Sequence, residues 1–315
     1  MDYFYLFGGL IYLLMGADLL VRGAAALARR ARVPPVIVAL SVVAFGTSLP
    51  ELVVTLRSIL SGYPGIGIGN VVGSNIANIF LVVGVPALVY PLVSSDAPAR
   101  RDASVMVGVS ALFMVICLLG DVRRFEGIVL LAVLTVLLGL TARETARRRD
   151  PDSRAPIEWV LGLPTRTWMI LLLISIGAMF LPLGAEMFIK SAVQIAAQLQ
   201  ISDAVAGLTI VALGTSLPEL ATVFVAALRR QSGLAMGTAM GSNIFNIVAI
   251  MGVAATASPT PIVVPPGFLT LDLPVMLGAS LLLALFVWRR RPIGRFAGLG
   301  MLLCYGLYMV VLFAN

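Results

Sequence analysis

The heptapeptide Gly-Thr-Ser-Leu-Pro-Glu-Leu occurs twice, at 46–52 and at 214–220, and each copy sets a proline and a glutamate inside a long apolar run. Both residue types are costly there, so the unit constrains any fold that must accommodate it twice. The match extends well beyond seven residues. The stretch from Gly69 to Ile79 (GNVVGSNIANI) answers the stretch from Gly237 to Ile247 (GTAMGSNIFNI), Gly16-Ala17-Asp18 answers Gly184-Ala185-Glu186, and Arg22 answers Lys190. All these pairs stand 168 positions apart, an ungapped register that marks an internal duplication.

The surrounding runs determine the medium. With 60% hydrophobic and 12% charged residues over 315 positions, and a mean hydropathy of +1.03, the chain is too apolar for a water-soluble globule of this length. At roughly 20 apolar residues per crossing, ten spans can be laid out, at 3–27, 35–60, 65–92, 103–120, 125–142, 167–198, 203–228, 233–257, 268–288 and 295–313. The N-terminus has no basic leader and runs directly into the first span, which predicts a retained helix. Arginines cluster in alternate loops, near 29–32, 100–101, 143–166, 229–230 and 289–295, whereas the opposite side has only Arg57, Arg123 and Arg124. The positive-inside rule therefore predicts both termini outside the cytoplasm. Five crossings per half is an odd number, so the second copy enters the membrane upside down. The expected fold is an all-α integral membrane protein of ten transmembrane helices, arranged as two inverted five-helix repeats with discontinuous core helices. The repeats cover 1–142 and 167–315, joined by a polar cytoplasmic linker at 143–166 with no assigned fold.

Several function classes drop out. The net charge of +7 gathers between spans, which fits topology rather than nucleic-acid binding. The absence of histidine removes a Ser-His dyad, histidine-ligated transition metals and a histidine proton relay. Cys117 and Cys304 lie singly in apolar runs and read as small buried hydrophobes, not as a disulfide or zinc site. Asp18 with Arg22, and Glu186 with Lys190, stand four apart and read as ion pairs near the membrane edge.

The repeated unit supplies the chemistry. Pro50 has no N–H, so the carbonyl of Gly46 loses its helical partner, and the glycine loosens that turn further. Thr47 and Ser48 lie four and three residues before Glu51, which allows hydroxyls and carboxylate to share a face, and Ser74 and Asn78 are likewise four apart. The second half repeats the set with Gly214, Thr215, Ser216, Pro218, Glu219, Ser242 and Asn246. Carboxylates, hydroxyls, amide oxygens and freed carbonyls make a hard-oxygen site suited to calcium or sodium. Two converging carboxylates repel unless cations or protons occupy the site, and such an obligatory occupancy is the logic of exchange.

These motifs resemble the cation/calcium exchanger superfamily, whose paired α-repeats carry G-T-S-x-P-E followed by G-S-N-[IV]-x-[DN]. The resemblance implies a core of helices 2, 3, 7 and 8 with helices 1 and 6 as a sliding gate. It also implies that Glu51 and Glu219 are the calcium carboxylates, flanked by Asn78 and Asn246. Thr47, Ser48, Ser74, Thr215, Ser216 and Ser242, with the carbonyls of Ala44 and Ala212, would complete calcium and peripheral sodium sites. Some similar exchangers have aspartate where this chain has Asn246, which leaves the coupling ion and its stoichiometry open. The expected function is antiport of calcium against sodium by alternating access, with protons as the alternative coupling ion. An intramembrane hydrolase using Ser48 or Ser216 and a calcium channel are further alternatives. No enzymatic cofactor, nucleic acid or obligate protein partner is implied; the expected partners are the transported cations and the bilayer.

Overall fold

The computed structural model describes residues 2–31, 38, 42–94, 96–147, 166–198, 214 and 216–314. The described residues are helical apart from short connections and two isolated antiparallel bridges, Leu92 with Ile293 and Val122 with Ile262. In chain order the helices are α1 (Asp2–Ala31), α2 (Ala44–Thr47), α3 (Leu49–Leu60), α4 (Pro64–Phe80), α5 (Gly84–Val89), α6 (Ala97–Leu119) and α7 (Arg124–Arg147). They continue with α8 (Thr167–Gln198), α9 (Leu217–Leu228), α10 (Ser232–Phe245), α11 (Gly252–Ala257), α12 (Leu273–Trp288) and α13 (Arg295–Ala314). A π-helical segment, Asn246–Met251, joins α10 to α11, and another, Phe268–Asp272, leads into α12.

Among the described residues, eight helices are long and apolar enough to cross a membrane. The expected spans 35–60 and 203–228 fall partly outside the described residues. Their described helices, α3 and α9, have 12 residues each, about 18 Å at the usual rise and too short to cross alone. Among the described residues several expected boundaries move, two of them by five residues or more. The fourth span begins at Ala97, not 103, because the Asp96 side chain accepts the Ala99 N–H at 3.2 Å and Pro98 suits the first turn. The fifth runs on to Arg147, so the first five residues expected to be linker continue the helix; 148–165 lie outside the described residues.

Outer faces are apolar, with Phe4, Leu119, Phe125, Phe296 and Leu303 exposed, as suits a hydrocarbon surrounding. Cys304 also lies on an exposed face, correcting its reading as buried; a membrane helix turned toward lipid has no need to hide a thiol. Cys117 is buried as expected.

The contacts repeat with the two halves exchanged. Helix α1 packs along α8 through four glycines at the duplication offset: a Cβ on Gly9 or Gly184 would sit 2.8 Å from the other's carbonyl oxygen, and Gly16 and Gly177 face each other in the same way. Main chains that close leave no room for side chains at these points. On the other side, α6 packs on α12 with Ser110 and Ser280 hydroxyls 3.1 Å apart. Helix α7 lies on α11 as α13 lies on α5. At the centre, α3, α4, α9 and α10 bring both copies of the repeated motif together.

A candidate cation site between the two halves

The two heptapeptides agree in local structure from their serines onward. Ser48, between α2 and α3, has φ −86° and ψ 8°, and Ser216, before α9, has φ −87° and ψ 3°; proline stands in the first turn of the helix that follows each. Without a proline N–H the preceding turn cannot close normally, so the helix restarts with new N–H groups exposed at its N-terminus. Glu51 and Glu219 each lie in that first turn, where a carboxylate is favoured by the helix dipole.

The pattern Ser-x-x-Glu is also that of a capping box, in which the serine bonds its own helix. Neither serine does so here. Instead the Ser48 hydroxyl donates to Glu219 Oε1 at 3.0 Å, across the duplication. The expectation that Ser48 shares a face with Glu51 thus misses its actual partner, the glutamate of the other half.

Burial at this centre is nearly complete: Thr47, Ser48, Asn78, Glu219, Ser242 and Asn246 are 0% exposed, and Glu51 and Ser216 are 1% exposed. Many of their polar atoms nevertheless have no hydrogen-bond partner among the described residues. These include both carboxylate oxygens of Glu51, Oε2 of Glu219, the hydroxyls of Ser216 and Ser242, Oδ1 of Asn246 and both amide atoms of Asn78. An unpaired buried carboxylate is strongly unfavourable unless a counter-charge accompanies it. Such a concentration of unpartnered oxygens makes this a candidate cation site. Among the described residues no group of three or more His, Cys, Asp or Glu converges, so the donors are a mixture of carboxylate, amide and hydroxyl oxygens. That mixture selects hard cations.

The other expected residues are placed as follows. Ser74 is buried on α4, one helical turn before Asn78. The Ala44 carbonyl accepts from Thr47 Oγ1 at 3.3 Å and from the Ser48 N–H at 3.0 Å. Ala212 and Thr215 lie outside the described residues. Asn246 begins the π segment, and the first half has its counterpart in a five-residue bond from the Val82 N–H to the Ala77 carbonyl at 2.9 Å. Widened turns of this kind recur at functional sites because they free and re-aim groups on one face.

Two kinds of residue at the centre escape a reading based on carboxylates. Asn75 and Asn243, the asparagines of the duplicated Gly-Ser-Asn, clasp each other: Asn75 Nδ2 donates to the Asn243 carbonyl at 3.2 Å and Asn243 Nδ2 donates to the Asn75 carbonyl at 3.1 Å. Their shared offset of 168 was the available signal. Asn70 donates to the Glu51 carbonyl at 3.2 Å and to Thr55 Oγ1 at 2.9 Å, tying α3 to α4. Its counterpart at the duplication offset is Thr238, not an asparagine, so the repeat gives it only a weak signal.

The expected edge pairs form. Arg22 Nε lies 2.9 Å from Asp18, and Lys190 lies 2.5 Å from Glu186. Asp18 additionally pairs with Arg229 of the second half.

Comparison with known proteins agrees with this geometry over nearly the whole chain. The family model described as sodium/calcium exchanger protein matches residues 1–142 and 169–314. The inner membrane protein YrbG of Escherichia coli (strain K12) is 37% identical over 306 residues, covering 95% of this chain and 92% of its own. The sodium/calcium exchanger MaX1 of Methanosarcina acetivorans is 31% identical over 341 residues, covering 97% of this chain and 96% of its own. Among solved structures, the sodium-calcium exchanger NCX_Mj soaked with Na+ and Sr2+ superposes with a TM-score of 0.82 at 32% identity, covering 98% of each chain. With the duplicated motifs, the partnerless buried oxygens and these matches in agreement, the chain belongs to the sodium/calcium exchanger protein family.

Proposed function

We propose that this protein is a secondary antiporter that moves calcium across the membrane in exchange for sodium, by alternating access to one central site. The observation that carries this reading is the pair of buried glutamates with unpartnered oxygens, Glu51 and Glu219, held on restarted helices from opposite halves. Glu51 and Glu219 serve as the calcium carboxylates, and Asn78 and Asn246 as amide ligands. Ser74 and Ser242 lie beside them, and Thr47, Ser48, Thr215 and Ser216 with the carbonyls of Ala44 and Ala212 serve the remaining calcium and sodium positions. Calcium takes six to eight oxygens, and the unpartnered buried donors suit that demand.

The architecture proposed for this function has ten crossings in two inverted five-helix repeats, 1–142 and 167–315, with the linker between them and both termini outside the cytoplasm. Support comes from the contacts that recur with the halves exchanged, including the α1–α8 glycine pairs and the Asn75–Asn243 clasp. In this arrangement α1 and α8 act as one unit that slides over the core and exposes the site to one side at a time. An empty site leaves two carboxylates facing each other without a counter-ion, so the unit shifts only when the site is filled. That is what couples outward and inward movement.

The test is uptake of radioactive calcium into proteoliposomes driven by an outward sodium gradient. Sodium-dependent uptake that is lost in Glu51→Gln and Glu219→Gln supports the reading; uptake equal in wild type and both variants refutes it. Replacing the sodium gradient by a pH gradient distinguishes sodium from proton coupling.

A further inference from the structure

The Asn75–Asn243 clasp has a directional consequence for the site. A main-chain carbonyl can only accept, so the bond from Asn75 to the Asn243 carbonyl at 3.2 Å determines which end of the Asn75 amide is nitrogen. Its Oδ1 then faces Asn246, and because that oxygen also can only accept, Asn246 must present its nitrogen: the Asn246 Nδ2 to Asn75 Oδ1 distance is 3.0 Å. This leaves Asn246 Oδ1 buried and without a partner among the described residues. The sulfurs of Met276 and Met106 lie 3.9 Å from Asn75 Nδ2 and Asn243 Nδ2, backing the two amides of the clasp. The mirror-related bond is not made, since Asn243 Oδ1 and both amide atoms of Asn78 have no partner among the described residues.

We propose that Asn75 is a positioning residue for the cation site: it sets the Asn246 side chain so that its carbonyl oxygen, not its amide nitrogen, is offered to the bound ion. A reversed Asn246 would set two carbonyl oxygens against each other and turn an N–H2 group toward a cation. Asn246 is thereby held in advance as a neutral oxygen donor, whereas Asn78 acquires its orientation only when an ion arrives. The two amide ligands, equivalent in sequence, are unequal in the fold. This inference rests on the proposed role of Asn246 as a ligand, and the experiment separates the two.

Calcium KM and kcat of sodium-driven flux are measured in proteoliposomes for Asn75→Ala, Asn246→Ala, the double variant and Asn243→Ala, with thermal stability of each. Asn246→Ala is expected to raise the calcium KM. Asn75→Ala is expected to raise it at least about tenfold with little change in kcat, and to add nothing in the Asn246→Ala background, because it acts through that side chain. Asn243→Ala removes the reciprocal clasp bond but leaves the main-chain acceptor of Asn75 in place, so it lowers thermal stability without moving KM. If Asn75→Ala is not recovered folded, Asn75→Ser, polar but too short to reach Asn246, replaces it in the same cycle. Additive effects of the Asn75 and Asn246 changes, or a KM shift equal in Asn75→Ala and Asn243→Ala, overturn the positioning role while leaving the ligand assignment intact. An unchanged KM in Asn246→Ala overturns the ligand assignment and, with it, this inference.

Discussion

At Glu51 both carboxylate oxygens are buried with no partner among the described residues, so an ionised carboxylate without a cation is strongly unfavourable there, and on the proposed ligand role a bound ion offsets that cost. The two consequences point in opposite directions. Glu51→Gln is expected to raise the thermal stability of the ion-free protein, because a neutral amide costs less to bury than an unpaired charge. The same change should abolish stabilisation by calcium, which in the wild type amounts to about 2.7 kcal/mol at a hundredfold excess over Kd. Thermal unfolding with and without calcium measures both. Ser48 tests the link between the halves: hydrogen bonds to charged groups contribute about 1.5–3 kcal/mol, so Ser48→Ala, which releases Glu219 Oε1, is expected to weaken calcium binding about tenfold in a titration of the purified protein. The importance of the glutamates could be read from one dimension, because a charge inside an apolar run needs a reason. The partner of Ser48 could not, because a local capping box and a bond to the other half use the same four residues.

Among the elements, α1 and α8 pack closely, with Gly9, Gly16, Gly23, Gly177 and Gly184 each opposite main chain of the other helix. A Cβ on Gly177 would lie 2.7 Å from the Leu20 nitrogen and 2.8 Å from the Gly16 oxygen, so a larger residue must push the helices apart. Gly177→Val is expected to destabilise the protein by about 1–3 kcal/mol, the usual cost of overpacking, seen as a lower unfolding midpoint in detergent. Most helices were visible as apolar runs. Their ends were not, for reasons that can be named: Asp96 and Pro98 start α6 early, and α7 keeps its helical hydrogen bonds past the point where hydrophobicity fades at Arg143. Charge locates the end of the hydrocarbon, while backbone hydrogen bonding locates the end of the helix.

For the molecule as a whole, the charge of the proposed site sets how transport is expected to meet the membrane potential. Glu51 and Glu219 together balance one calcium or two monovalent ions, and Asn246 adds no charge. Exchange of one calcium for two sodium ions, carrying no net charge, is therefore expected. A charge moved across 100 mV is worth about 2.3 kcal/mol, so calcium flux under an imposed potassium diffusion potential of that size tests this directly: flux should stay nearly constant, whereas a third sodium would make it steeply voltage-dependent. The sequence alone determined that this is a membrane protein, that its two halves are copies, and that proline, glutamate, serine and asparagine recur in both at one offset, because composition and periodicity along the chain carry that information. Only the tertiary structure decided that Ser48 bonds the glutamate of the opposite half, that Asn246 donates to Asn75, and that two asparagines at equivalent positions of the repeat are held differently. Those are contacts between residues about 170 positions apart, and their direction depends on which hydrogen-bond donors and acceptors meet when the halves close on each other.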